Sequence, residues 1–90
     1  MQLNNAKRVI MKSFEEIKQQ QATQLIALIK YAGSQANLSR ECGVAQQSVY
    51  RWVKRGRISK KGATTIERVT DGYFKREEMR PDVVVWRYEL

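Results

Sequence analysis

The chain has no histidine, one cysteine, one proline and five glycines among 90 residues. Without histidine there is no imidazole base, no Ser-His-Asp relay and no His-ligated zinc. Cys42 alone forms neither an internal disulfide nor a thiolate cluster, so no metal site is expected and a reducing, cytoplasmic setting is. The longest unbroken apolar run, residues 25–29, is too short to cross a bilayer or to serve as a signal-peptide core, so no membrane association is expected. Acidic residues are missing from one whole stretch. Between Glu41 and Glu67 there is no Asp or Glu, whereas Arg51, Lys54, Arg55, Arg57, Lys60 and Lys61 are all basic.

What is present suits a small cationic domain. Seventeen Lys and Arg against nine Asp and Glu give a net charge of +8, with a pI near 10.0. At 42% hydrophobic residues the chain can bury a core, and at this length it has room for one. No nucleophile–base pair, phosphate loop or ligand set is recognisable, so the expectation is a binding protein with no cofactor, and not an enzyme. Glu15-Glu16 and Glu77-Glu78 are adjacent only in sequence; they suit helix N-termini electrostatically and do not face each other as acid and base.

Apolar residues recur at helical steps of three and four. Leu3, Ala6, Val9, Ile10, Phe14 and Ile17 make one such face. Ser13 followed by Glu16 is either a capping box starting a fresh helix or an interior part of one longer helix, and the unbroken helix is preferred. Ala22, Leu25, Ile26, Leu28, Ile29 and Ala32 form a broader face ending at Gly33. Ser34 caps a segment from Gln35 to Cys42, Gly43 breaks it, and a further helix runs from about Ala45 to Arg55 before Gly56. Ser59 caps a helix bearing Ala63, Ile66 and Val69, and a last helical turn spans residues 75–79. The β-branched and aromatic tail, residues 83–88, reads as a short C-terminal strand. The expected fold is all-α, with five or six helices. Its parts are an N-terminal helical extension (1–20), a central helical domain (21–82) and the tail (83–90).

The informative stretch is residues 35–56, two short helices joined through Cys42-Gly43-Val44 as in a helix-turn-helix. On a wheel of the second helix, Val49, Trp52 and Val53 point inward. Gln47, Tyr50, Arg51, Lys54 and Arg55 point outward, with Gln46 and Ser48 on the first exposed turn. Glutamine matches the N6/N7 edge of adenine and arginine forks onto guanine O6/N7. Residues at the start of a recognition helix reach deepest into the major groove. Gln46, Gln47, Ser48 and Arg51 are therefore the candidate base readers. Lys54 and Arg55, with Arg57, Lys60 and Lys61 on the same unopposed cationic run, are candidate phosphate contacts. Gln35 joins them through the free N–H groups at its helix N-terminus. Tyr50 either meets a phosphate or a thymine methyl, or covers the neighbouring helix. Trp52 reads as core, and Cys42 as a small packing residue.

The run Gln35-Ala36-Asn37-Leu38-Ser39 … Gly43-Val44-Ala45-Gln46-Gln47-Ser48-Val49 resembles the helix-turn-helix of Cro/cI-type phage repressors. The later segments Trp52-Val53-Lys54-Arg55-Gly56-Arg57-Ile58, Ile66-Glu67-Arg68 … Thr70-Asp71-Gly72 and Arg76-Glu77-Glu78-Met79-Arg80-Pro81-Asp82 look like short Cro-like prophage regulators of the YdaS antitoxin type. Together these cover about residues 22–82. The resemblance implies a compact lambda-repressor-like domain that binds an operator as a homodimer, with Gln35 on a phosphate and Gln46, Gln47 and Arg51 facing bases. Ser48 would face either. Ala45 departs from the pattern, standing where many relatives place a capping Ser or Thr. The function so implied is sequence-specific duplex-DNA binding by a prophage-type repressor, associated with the nucleoid. The alternative is an antitoxin that binds a protein toxin and uses DNA binding for autoregulation.

Overall fold

The computed structural model describes residues 13–88. The amphipathic pattern from Leu3 to Ile10 lies outside the described residues, as do Glu89 and Leu90. Helix α1 spans Phe14–Ala32. It starts at a complete capping box: Glu16 N–H donates to Ser13 Oγ (3.1 Å), and Ser13 N–H donates to Glu16 Oε1 (2.8 Å). Ser13 is extended (φ −69°, ψ 161°), so the single unbroken helix preferred from the spacing is not formed. The cap satisfies otherwise orphaned N–H groups and wins over continuation of the apolar periodicity. From there α1 runs without interruption across residues 20 and 21 to Gly33, whose φ of 102° ends it.

Helices α2 (Gln35–Cys42) and α3 (Gln46–Arg55) follow, then α4 (Lys60–Val69) and the single turn α5 (Arg76–Met79). Ser34 Oγ accepts from Asn37 N–H at the start of α2, and Ser59 Oγ accepts from Gly62 N–H at the start of α4. Each side chain thereby satisfies one of the first-turn donors. The last element is a 3-10 helix, Val84–Tyr88, so the short C-terminal strand predicted from the tail is not formed. The reason is local. No strand lies among the described residues to pair with it, and the Trp86 indole instead folds back so that Nε1 donates to the Arg80 carbonyl at 3.0 Å. β-propensity mostly measures fit to a pleated neighbour, and here none is offered.

α1 packs on α2 and α5, α2 on α3 and α4, and α4 on α5. The core takes Leu25 and Leu28 from α1, Leu38 from α2, Val49 and Trp52 from α3, and Ala63 and Ile66 from α4. Ile58, Phe74, Met79 and Trp86 close it from the connections, α5 and the tail. Burying each such large side chain contributes about 1.5–3 kcal/mol. Gly62, in the first turn of α4, lies against Trp52: a Cβ built there would stand 2.5 Å from Trp52 Cζ2. Tyr31, Tyr73 and Phe74 form a small aromatic group at the far end of α1, with the two tyrosine rings stacked at 5.1 Å.

Asp82 ties three parts of the chain together. Its carboxylate accepts a paired contact from Arg80 (2.9 and 2.8 Å) and a hydrogen bond from Gln21 Nε2 on α1 (2.8 Å). Arg57 Nη1 stands 3.8 Å away, and Arg80 also donates to the Ile58 carbonyl (3.1 Å). The Arg80 hydrogen bonds hold the Asp82 carboxyl below its ordinary pKa, with Arg57 adding to the effect against partial desolvation. A depressed folded-state pKa means this stabilisation is present above the ordinary carboxylate range and fades as pH falls through the folded value. In thermal melts, the Tm advantage of the native chain over Asp82→Asn should shrink as pH drops from about 5 to about 2.

Candidate nucleic-acid interface

The turn between α2 and α3 sets which face of α3 is seen from outside. Gly43 adopts φ 66°, ψ 32° and its N–H bonds back into α2, while Val44 N–H donates to the Ser39 carbonyl at 3.0 Å. This left-handed corner is available to glycine at no steric cost. Ser39 is buried, and its hydroxyl donates to the Ala36 carbonyl (2.8 Å), leaving a small contact where α3 crosses. Cys42 is half-buried beside it, and burial raises its thiol pKa. That suits the packing role expected of it.

α3 buries a narrow stripe, Val49 and Trp52, and presents the rest of its surface. Val53 departs from expectation: it is 37% exposed and so does not belong to the inward face. α3 packs mainly on α2, and a two-residue stripe suffices to seal that contact, leaving Val53 at its edge. Gln46, Gln47, Tyr50, Arg51, Lys54 and Arg55 are all exposed, and Ser48 is half-buried. Among the described residues, no hydrogen bond or ion pair engages the side chains of Gln46, Gln47, Arg51, Arg55 or Lys61.

The cations gather at one end. A cleft of about 300 Å³ between α3 and the start of α4 is lined by Ser48, Arg51, Arg55, Ser59, Lys61 and Thr65, without a carboxylate. Lys54 Nζ sits 5.8 Å from the centre of the exposed Tyr50 ring, so these two share one ridge. Lys60 Nζ lies 5.9 Å from the Trp86 ring centre. Arg57 is set somewhat apart by its 3.8 Å approach to Asp82. Gln35 is exposed at the first position of α2. Spacing alone missed the part played by Asp82, Arg80 and Trp86 in bracing this region. The available signal was a lone tryptophan shortly after Pro81, whose indole N–H needs a buried acceptor.

α3 starts without a side-chain cap, because Ala45 has the extended N-cap backbone but no oxygen to offer. Ala45→Ser should therefore stabilise the fold by about 1 kcal/mol in denaturant titrations.

The structure defines a small helical domain in which the exposed face of α3 carries Arg51, Lys54 and Arg55 beside uncharged polar residues, and no acidic one. The family model described as bacterial toxin YdaS matches residues 25–89, and the chain belongs to that family. No curated protein and no solved structure matches the chain. No helix among the described residues is long and apolar enough to cross a membrane.

Proposed function

We propose that the chain is a sequence-specific DNA-binding regulator of the prophage type. In this reading α2 and α3 act as a Cro/cI-like, lambda-repressor-like helix-turn-helix within residues 21–82. α3 enters the major groove of a short two-fold operator as part of a homodimer, and occupancy blocks transcription. Gln46, Gln47 and Arg51 read bases, and Ser48, at the mouth of the cleft, meets a base or the backbone. Lys54, Arg55, Arg57, Lys60 and Lys61 neutralise phosphates, Gln35 hydrogen-bonds one, and Tyr50 packs beside them. The observation that carries the reading is the α3 surface itself: amides and guanidiniums left exposed, beside a cationic run that no acidic residue interrupts. Polar forks aimed outward serve base edges, and unopposed positive charge serves the backbone.

Selection of bound sequences from random duplex DNA tests this. A two-fold consensus with half-sites about 10 bp apart supports a dimer on the major groove. Failure to enrich any sequence overturns specific recognition. With about five or six phosphates neutralised, log affinity should fall against log salt with a slope near −5, measured on the selected site.

The family description favours a second reading, in which the chain works within a toxin–antitoxin pair, as a toxin or as an antitoxin binding a protein toxin. Induced expression separates the two. If slowed growth disappears with Arg51→Ala, the harm runs through DNA occupancy and both readings describe one activity. If it persists unchanged, a protein target carries it.

A further inference from the structure

Residues 80–86 touch residues 57–60 at three points, contacts for which the DNA reading gives no role. Arg80 donates to the Ile58 carbonyl, Asp82 approaches Arg57, and the Trp86 ring underlies both Lys60 and Arg76. Trp86 is 5% exposed, and its Nε1 hydrogen bond to the Arg80 carbonyl fixes the plane of the ring. Arg76 stands closer to the ring centre, at 4.5 Å, and is further drawn to Glu67 at 3.7 Å. Lys60 is exposed and has no carboxylate partner among the described residues, only the indole. A long ammonium side chain drawn to an aromatic face loses part of its rotamer freedom before any ligand arrives, while its outer side remains hydrated. The ring thus pre-sets a charge at the first turn of α4, next to the cleft that Arg51, Arg55 and Lys61 line.

We propose that Trp86 is a positioning residue for nucleic-acid binding: it holds Lys60 where a backbone phosphate of duplex DNA meets it. The inference rests on the DNA reading above. It makes the tail part of the binding apparatus, although the tail itself touches no DNA.

The test compares Trp86→Leu, which keeps apolar bulk and removes the ring, with Trp86→Phe, which keeps a ring. The full chain is used, folding is verified by circular dichroism, and binding is measured over a salt series on selected and random duplexes. Trp86→Leu should weaken both duplexes about 2- to 5-fold. Its log–log salt slope should be shallower by close to one phosphate's worth, about 0.9. Trp86→Phe, which keeps a ring but loses the bond to the Arg80 carbonyl, should recover part of both quantities, and in a Lys60→Gln background Trp86→Leu should add nothing. A folded Trp86→Leu with native affinity and slope overturns the inference, as does an equal loss in the Lys60→Gln background. Proton shifts of the native chain decide the matter if Trp86→Leu does not fold. The Lys60 ε-methylene should lie upfield of that of Lys61, and coincident shifts overturn the inference. If the native chain binds no duplex, the functional reading fails and this inference with it. Native binding with an indifferent Trp86→Leu defeats the inference alone.

Discussion

Arg51→Ala and Gln47→Ala should each weaken binding to the selected operator by about 1–3 kcal/mol, roughly 5- to 150-fold, while leaving random duplex almost unchanged. The ratio of the two affinities is the decisive quantity, measured by competition at fixed salt. Both side chains are exposed and unengaged in the free protein. Their removal therefore breaks nothing in the fold, and any loss belongs to the complex. Lys60→Ala should behave oppositely, weakening every duplex alike and reducing the salt slope by about one. Equal losses for Arg51→Ala on selected and random DNA would reassign that guanidinium to a phosphate, a role its place in the cleft beside Arg55 and Lys61 also allows.

Gly62→Ala should lower stability by about 1–2 kcal/mol, a fall of roughly 4–16 °C in Tm. Two effects oppose each other. Alanine inside a helix gains about 1 kcal/mol over glycine. Against this, the new methyl would stand 2.5 Å from Trp52 Cζ2, 2.9 Å from Ser59 Oγ and 3.0 Å from Ile58 Cγ2. Trp52 and Ile58 are buried on all sides and cannot swing away, so overpacking falls at the upper end of its usual range, about 2–3 kcal/mol, and prevails. Gly43→Ala supplies the contrast. Nothing lies within 4 Å of its added methyl, and only the left-handed backbone at φ 66° resists the change. A melt in which Gly62→Ala is as stable as the native chain would show that α4 can slide off Trp52.

The helices were legible because their ends are marked by residues that act locally. Gly33, Gly43 and Gly56 all take the positive φ that stops a helix, and Ser34 and Ser59 make the caps their positions promise. The outward set on α3 could likewise be read from spacing, since a helix fixes which side chains share a face. Contacts that join distant parts were not legible. Phe74 and Met79 gave no periodic signal because each sits in a short connection or a single turn, yet both are buried. Gln21, a polar residue outside the apolar pattern of α1, is buried and satisfied by an aspartate 61 residues away. The tail misled for the same reason. Valines and tryptophan suit a strand wherever a neighbouring strand exists, and that is a property of the whole molecule. Ser13 shows the reverse case, in which a short-range hydrogen-bond pair outweighs a longer apolar rhythm.

The two tryptophans occupy unlike surroundings, and this equips the chain with a pair of optical reporters. Trp52 emits from within the apolar centre beneath α3, whereas the Trp86 indole radiates beside a guanidinium and an ammonium. Substituting either by phenylalanine isolates the signal of the other. Lifting of the tail and collapse of the interior can then be timed separately in a single stopped-flow experiment.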